Sequence, residues 1–410
     1  MLNVNMNIWY IHPYAGSPKY GMSFRPYYLA RHFNELGYNA IVISSLYHHL
    51  CSIPGAKPGV MDVEGVDYFF QKVVSYKGNG LKRVLNMLSF GLGLFSRTFR
   101  EFSKSNKPDV IIASTAHPFH LLAAKYYAKK YGAKLILEVR DIWPLSLQEL
   151  VGISKRHPLS IIINIFQKYG YKHCDHCVSL LANAEGFFLE EGLKKDSFTY
   201  IPNGIELINE QVTGEVPKAL ASDLKIALQG FDTVICYAGA LGVPNNLMPL
   251  IDAAAYLSKH RIGILLVGDG IQKDELKGRV NELNLDNVIF FGKVKKNDVA
   301  HVIAQCDALF INAMPKELYK FGMSPNKIFD YMIHDKIVFN GIDSPRNPLE
   351  EANCEIKFPA NDSLALSEEI LRFHNNKNAY KVSSSMFVQE HHTYKKLAKN
   401  YILLIEDLVK

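Results

Sequence analysis

Short apolar runs alternate with amphipathic stretches along the whole chain, the pattern of strands and helices taken in turn. In the first half the runs are Ile8–Ile11, Ala40–Ser44, Val110–Ala113, Lys134–Glu138 and Cys177–Leu181. Helical spacing separates them over Phe24–Leu36, Phe119–Tyr131 and Ser160–Lys172. The second half restarts with Val234–Ala238, Gly263–Val267, Val288–Phe291, Ala308–Asn312 and Ile337–Asn340. Its helices are expected near Leu247–Ser258, Lys273–Asn284, Asp298–Gln305 and Asn326–Ile333. This alternation predicts parallel sheets and an α/β fold of two Rossmann-like, doubly wound domains.

Between the halves lies Pro202-Asn203-Gly204, strong turn chemistry because Asn and Gly tolerate positive φ, and then the polar stretch Ile208–Asp223. The predicted domains are 1–205 and 206–390. Residues 391–410 form an amphipathic helix with Tyr394, Leu397, Tyr401, Leu404 and Leu408 at helical spacing, expected to pack back on the first domain. Doubly wound domains bind ligands outside the carboxyl ends of their strands, here expected to face a shared cleft, so the chemistry is sought in the loops that follow the strands.

A length of 410 residues is too great for one ordinary core and suits two domains of about 200 residues each. Apolar residues at 48% and charged residues at 21% describe a globular chain. No signal-peptide pattern opens the sequence, and no apolar stretch reaches the ~18 residues of a spanning helix. The net charge of +6 suits an anionic membrane surface or a phosphate-bearing substrate, and by itself leaves nucleic acid open. Six cysteines stand at 51, 174, 177, 236, 306 and 354. Cys174 and Cys177 form a C-x-x-C, but no second ligand pair accompanies them and Cys177 opens a strand. They read as reduced cytosolic thiols rather than as a zinc or redox site.

The loop His12–Pro18 contains Gly16, which lets backbone N–H groups approach an anionic or sugar ligand. It is neither a G-x-G-x-x-G nor a P-loop fingerprint, which disfavours a nicotinamide-dependent dehydrogenase. The next strands end in Ser114-Thr115-Ala116-His117 and in Glu138-Val139-Arg140-Asp141-Ile142-Trp143-Pro144, a polar concentration at neighbouring strand ends. Arg140 and Asp141 also read as a structural ion pair, and Trp143 as loop packing with a ring face able to stack on a sugar. In the second half, glycines follow the first two strands, at Gly239 and Gly268, and Lys293 follows the third. The richest segment is Ser324-Pro325-Asn326-Lys327-Ile328-Phe329-Asp330-Tyr331-Met332. Pro325 suits the first helical position with Ser324 as cap. The helix start and Lys327 would attract a diphosphate, and Asp330, one turn on, would accept ribose hydroxyls.

Taken together and in order along nearly the whole chain, these motifs resemble the retaining glycosyltransferases of family 4, which have the GT-B fold. The likeness is to a branch making bacterial surface polysaccharides, including N-acetylfucosamine-type transferases. Arg140–Pro144 and Ser324–Met332 are its most specific segments. The resemblance implies transfer, with retention and without a metal ion or cofactor, of an N-acetylated hexose or deoxyhexose from a UDP-sugar. The acceptor would be a polyprenyl-diphosphate-linked saccharide of O-antigen or capsule. It implies a cytoplasmic protein, peripheral on the inner face of the membrane, with no nucleic-acid partner. His117 would meet the donor sugar, with Lys327, Arg140 and Asp141 as the other catalytic candidates. Gly16, Gly239, Gly268, Lys293, Ser324, Pro325, Asn326 and Asp330 would bind the donor, and Glu138 and Trp143 would stand on the acceptor side.

The chain departs from the family at two places. Where the family has a first acid, eight positions before Asp330, this chain has Gly322, with Glu317 nearby at a different spacing. The loop Leu241–Asn246 lacks the Arg and Lys that many relatives carry after Gly239. Two alternatives stay open, a non-catalytic GT-B binding subunit and a sugar-nucleotide epimerase. Leu81–Lys107, rich in basic and apolar residues, reads as a membrane-interface segment or as a buried helix with a basic end.

Overall fold

The computed structural model describes residues 6–207 and 216–410, apart from Met22, His49, Cys51, Ser52, Pro54, Lys77 and Asn79 and the side chains of Lys296 and Asn297. Cys51 and residues 208–215 of the polar stretch therefore lie outside the described residues. The chain forms two compact units, 1–206 with 394–410, and 207–393. These limits fall one and three residues from the expected 205/206 and 390/391.

The first unit is an eight-stranded sheet in the order β3-β4-β2-β1-β5-β6-β7-β8. Its strands are β1 (Asn7–Ile11), β2 (Asn39–Ser45), β3 (Gly59–Val63), β4 (Val66–Gln71), β5 (Val110–Thr115), β6 (Lys134–Val139), β7 (His176–Ser179) and β8 (Phe198–Tyr200). All neighbours are parallel except β3, which turns back on β4. The helices are α1 (Arg25–Glu35), α2 (Leu81–Gly93), α3 (Arg97–Ser105), α4 (Leu121–Tyr131), α5 (Leu145–Val151), α6 (Pro158–His173) and α7 (Glu185–Glu190). The run Cys177–Leu181 starts one residue earlier than expected and pairs only to Ser179. The β3–β4 hairpin, β8 and the later three-residue strand Glu355–Lys357 were not anticipated, because β3 alternates exposed and buried positions and the other two are three residues long.

The basic segment 81–107 is two helices, not one. Ser96 opens a new helix by accepting the Phe99 N–H at 3.3 Å. The second helix buries Phe99 and Phe102 against Trp9, while α2 leaves Leu81, Leu85 and Leu92 exposed.

The second unit is a parallel six-stranded sheet in the order β11-β10-β9-β12-β13-β14. Its strands are β9 (Thr233–Ala238), β10 (Ile262–Val267), β11 (Val288–Gly292), β12 (Ala308–Ile311), β13 (Ile337–Asn340) and β14 (Glu355–Lys357). Its helices are α8 (Lys218–Ala227), α9 (Met248–Leu257), α10 (Lys273–Glu282), α11 (Lys296–Ala304), α12 (Asn326–Met332), α13 (Pro348–Glu351), α14 (Ser363–Asn375) and α15 (Ser384–His391). In both sheets the strand order reverses beside the first strand, between β1 and β5 and between β9 and β12. Those are the switch points at which such sheets bind ligands.

The C-terminal helix α16 (Tyr394–Val409) lies on α1 of the first unit, with Tyr394 stacked on Tyr28 and Phe33 edge-on to Tyr401. A buried ion pair holds this junction. Arg25 Nε donates to Glu138 at 2.9 Å, and both side chains are almost wholly inaccessible to solvent. Glu138 also accepts from Tyr10 at 2.8 Å, Ser114 at 2.6 Å and Tyr401 of α16. Arg25 donates onward to the carbonyls of Ile201, at 3.0 Å, and Pro202. Glu138, expected on the acceptor side, is therefore a structural group. Burial pushes its pKa up, but Arg25 and then Arg140 outweigh that and hold it below the ordinary carboxylate value. The stability it contributes is complete at neutral pH and is lost as acid protonates it.

Replacing Arg25 by Met strands the Glu138 charge and is expected to destabilise the first unit by about 3–5 kcal/mol. Tyr401→Phe removes one of several donors and should cost about 1–3 kcal/mol, since that donor serves a charged group. Urea denaturation midpoints of the two variants give the comparison.

Candidate functional site

Each switch point carries its own group of polar side chains. In the second unit β9 runs into Gly239, and the loops after β9, β10 and β11 are laced together by backbone bonds. Gly239 N donates to Val267 O at 2.9 Å, Gly268 N to Gly292 O at 2.8 Å and Leu241 N to Asp269 O at 2.9 Å. A Cβ on Gly268 would lie 1.9 Å from Gly239 O, and one on Gly270 would lie 2.2 Å from Leu241 O. Gly268 also has φ +139, outside the range of ordinary side chains. Its glycine is thus accounted for by loop packing and not by ligand approach. Gly239 differs, because a side chain there would meet Lys327 Nζ at 2.8 Å.

Lys327 reaches this place from the first turn of α12. Its Nζ lies 4.3 Å from the centre of the Tyr237 ring, donates to Tyr237 Oη at 2.9 Å and approaches Asn245 Oδ1 at 3.4 Å. Tyr237 Oη in turn donates to Ala240 O at 2.8 Å. Tyr331, one turn further along α12, accepts from Ala238 N at 2.9 Å and so pins the helix to the end of β9. Among the described residues no carboxylate forms an ion pair with Lys327, and burial lowers its pKa to about 8. An ammonium held over an aromatic face, beside a bare glycine backbone and without a counter-ion, is set to receive an anion.

The other candidates of this unit are arranged differently from the expectation. Helix α12 begins at Asn326, with Pro325 in the cap position and no side-chain cap bond, so Ser324 is not the cap and Pro325 not the first helical residue. Asn326 is exposed, and Ser324, Pro325 and Asp330 are half-buried. Lys293 is exposed on the loop after β11, at the edge of the sheet, with Asp269 at 3.8 Å. Asp269 accepts the Gly270 N–H and sits beside Lys273 at 3.4 Å, which keeps its carboxyl below the ordinary value. Gly322 takes φ +122, a backbone that disfavours any acid there. Glu317 is exposed, 3.1 Å from Lys320.

In the first unit the switch point gathers histidines. His12 follows β1, His48 follows β2, and His117 and His120 follow β5, all buried. The Tyr14 ring bridges His48, at 5.5 Å between centroids, and His117, at 5.7 Å, and His120 lies 5.8 Å from His117. Helix α2 closes over them. Gly91 allows this, because a Cβ there would lie 2.5 Å from Phe119 O. His117 was expected to meet the donor sugar, but it is fully buried and neither ring nitrogen has a hydrogen-bond partner. Burial, then His120 and Arg83, hold its pKa far down, so it is a neutral imidazole.

Arg140, half-buried at the end of β6, approaches His12 Nε2 at 2.8 Å and donates to Ser23 Oγ at 3.2 Å. Asp141 is exposed and forms no ion pair with Arg140, so the structural pairing of these two is not made. Trp143 is half-buried in the smaller apolar cluster of Tyr14, Met87, Phe119 and Ile163, as loop packing requires. Gly16 is buried, and its carbonyl accepts from Tyr68 Oη at 2.9 Å. Cys174 and Cys177 are separate buried thiols, with burial pushing Cys174 up to about 12. No group of three His, Cys, Asp or Glu side chains among the described residues is placed to hold a metal ion.

Residues 21–208 match the model of Glycosyltransferase Family 4, and residues 232–376 match that of Glycosyl transferases group 1. The chain has the GT-B fold, and each of its two units carries one of these matches. It is similar to the putative colanic acid biosynthesis glycosyl transferase WcaI of Escherichia coli K12, 25% identical over 214 residues. That match spans about half of each chain, 52% in both. The probable glycosyltransferase WbjE of Pseudomonas aeruginosa is 21% identical over 71% of this chain and 70% of its own. Among solved structures, sucrose-phosphate synthase of Thermosynechococcus elongatus superposes with a TM-score of 0.72, at 13% identity over 98% of this chain and 99% of its own. Anabaena HepE in complex with UDP and glucose gives 0.65, at 13% identity over 98% and 100%.

Tyr237, Tyr331 and His12 entered the sequence reading only within longer segments and without a role of their own, and His120 only inside a helical stretch. Tyr237 reads simply as a strand residue, and nothing local to it announces Lys327, ninety positions away. Gly268→Ala is expected to misplace the Gly239 loop and lower the melting temperature by several degrees, at roughly 2 kcal/mol or more for the clash and the backbone together. Differential scanning fluorimetry checks this.

Proposed function

We propose that the protein is a retaining, metal-independent hexosyltransferase acting in bacterial surface-polysaccharide biosynthesis. In this reading it moves a sugar, an N-acetylated hexose or deoxyhexose, from a UDP-sugar to a lipid-linked saccharide. The observation that carries the reading is Lys327, an ammonium with no ion-paired carboxylate among the described residues, beside Gly239 at the switch point of the second sheet. The UDP and glucose bound by HepE support a uridine donor, the names of WcaI and WbjE support the sugar-transfer class, and colanic acid biosynthesis in the name of WcaI supports the surface-polysaccharide role.

As the bond between the sugar's anomeric carbon and the β-phosphate oxygen breaks, negative charge gathers on the diphosphate. Lys327 stabilises it in place of a metal ion, and Asp330 holds the ribose. The acceptor hydroxyl bonds to the anomeric carbon on the face the diphosphate leaves, and its proton passes to the departing phosphate oxygen. Positioning supplies the remainder of the rate.

The lipid-linked acceptor places the protein at the inner face of the membrane. Supporting this, α2 exposes Leu81, Leu85 and Leu92 next to Lys82, with Arg97 and Arg100 following in α3. Among the described residues no helix is long and apolar enough to cross a membrane. The competing reading, a non-catalytic relative, draws on Gly322 in place of an acid. Product formation from donor and acceptor decides between them.

Lys327→Met is expected to lower kcat/KM roughly 100-fold, as loss of one stabilising donor does. With Lys327 near pKa 8 in the free protein, anion binding is strongest below that pH. Affinity for UDP should fall as pH rises through about 8 and approach a tenfold loss per unit above it. Calorimetry with UDP between pH 6.5 and 9.5 reads this, and a flat profile, or one unchanged in Lys327→Met, counts against the assignment. Leu85→Asp with Leu92→Asp should reduce sedimentation with anionic vesicles at low salt, while transfer to a short water-soluble acceptor is retained.

A further inference from the structure

A lysine ammonium has three N–H donors, and those of Lys327 meet two acceptors among the described residues. Tyr237 Oη accepts one at 2.9 Å and Asn245 Oδ1 faces another at 3.4 Å. Both acceptors are neutral, and both are tied from behind to the same carbonyl. Ala240 O accepts from Tyr237 Oη at 2.8 Å and from Asn245 Nδ2 at 2.9 Å. The ammonium is thus held in a fork made of a phenol and an amide, against the bare backbone of Gly239.

The arm of the fork that carries Asn245 is itself braced. Pro244 O, just before it, accepts the Met314 N–H at 3.2 Å. Asn246, just after it, is buried at φ +45, a left-handed conformation that asparagine tolerates. The Asn246 amide donates to Asn361 Oδ1 at 2.9 Å and to Ala360 O at 3.1 Å. The Asn246 carbonyl accepts from Asn312 Nδ2 at 3.0 Å, and the same nitrogen donates to Ala360 O at 2.8 Å. Asn312 is buried directly after β12. Asn245 is therefore presented on a fastened turn rather than on a free loop.

An amide at this position differs from the matching acid in charge and hardly in shape. Aspartate would set a carboxylate beside the ammonium, where it would act against any anionic ligand. The loop Leu241–Asn246 contains no titratable group. Tyr237 touches Lys327 from β9, and Tyr331 and Asp330 share its helix; burial pushes both phenols up and keeps them neutral. Burial is also the cause that lowers the lysine itself.

We propose that Asn245 is a positioning residue for Lys327, a neutral acceptor that aims the ammonium at the donor's diphosphate and leaves its charge uncompensated. The proposal rests on the sugar-transfer reading, in which that diphosphate is the ligand.

Two measurements on the full chain separate this role from a structural one. The first uses no ligand: trace acetylation of Lys327 over a series of pH values, read by peptide mass spectrometry, gives the midpoint of the ammonium. The second is calorimetry with UDP at pH 7. Asn245→Asp should raise the midpoint by about one unit or more, because an opposite charge within ~4–6 Å favours the charged form. Asn245→Leu should lower it, because the charged form loses an acceptor. Asn245→Asp should weaken UDP at least tenfold, and more than Asn245→Leu does. A residue that only fills space would give the reverse order, since aspartate is the closer match in shape. Unchanged midpoints would overturn the proposal, and so would UDP binding that suffers less in Asn245→Asp than in Asn245→Leu. If Asn245→Asp melts early, Asn245→Gln takes its place. Its amide oxygen should restore the midpoint lost in Asn245→Leu, and equal midpoints in those two variants would overturn the proposal. A protein whose lysine midpoint follows Asn245 but which neither binds UDP nor transfers sugar would fail the sugar-transfer reading and keep Asn245 as the residue that positions Lys327.

Discussion

A single buried carboxylate, Glu138, organises the first unit. It sits at the end of a central strand, receives Arg25 from α1, Tyr10 from β1, Ser114 from β5 and Tyr401 from the C-terminal helix, and so joins elements up to 263 positions apart. Burying a charge is costly unless it is paired and its remaining lone pairs are filled, and here several donors converge on it. The arrangement sets direction as well as cohesion. With Arg25 anchored to Glu138 and to the Ile201 and Pro202 carbonyls, α1 and the chain leaving β8 have one position available. Glu138 takes Arg25, and Arg140 two residues later has His12 and Ser23 as its direct partners.

The second unit reaches a similar result by other means. Its loops are drawn together by glycines that tolerate contacts a Cβ could not, and its cation, Lys327, is placed by two tyrosines. Tyr237 supplies a ring and an oxygen, and Tyr331 fastens the helix that carries the lysine. The chain lacks basic residues in the loop after Gly239, and Lys327 brings an ammonium to that same spot from a later helix. Each switch point thus carries a cation whose hydrogen-bond partners among the described residues are uncharged.

Much of this was legible in the order of residues. Apolar runs with helical intervals determine the α/β class, ten of the fourteen strands and the division near 205, because periodicity and burial are tied directly to hydrophobic side chains. Short, edge or half-exposed strands such as β3 and β8 carry too few apolar positions to be read that way. The motifs fall at the carboxyl ends of strands, where the ligand loops of doubly wound sheets lie. The sequence by itself could not assign duties within those loops. Glu138, Arg140 and Asp141 are neighbours in the chain, yet one is a structural ion, one a cation bonded to His12 and Ser23 and one an exposed acid. His117, a donor-sugar candidate by motif, is sealed beneath α2 because Gly91 lets that helix approach. Such roles depend on which partner arrives from a distant element, and on how much water is left around each group, and only the tertiary structure decides either.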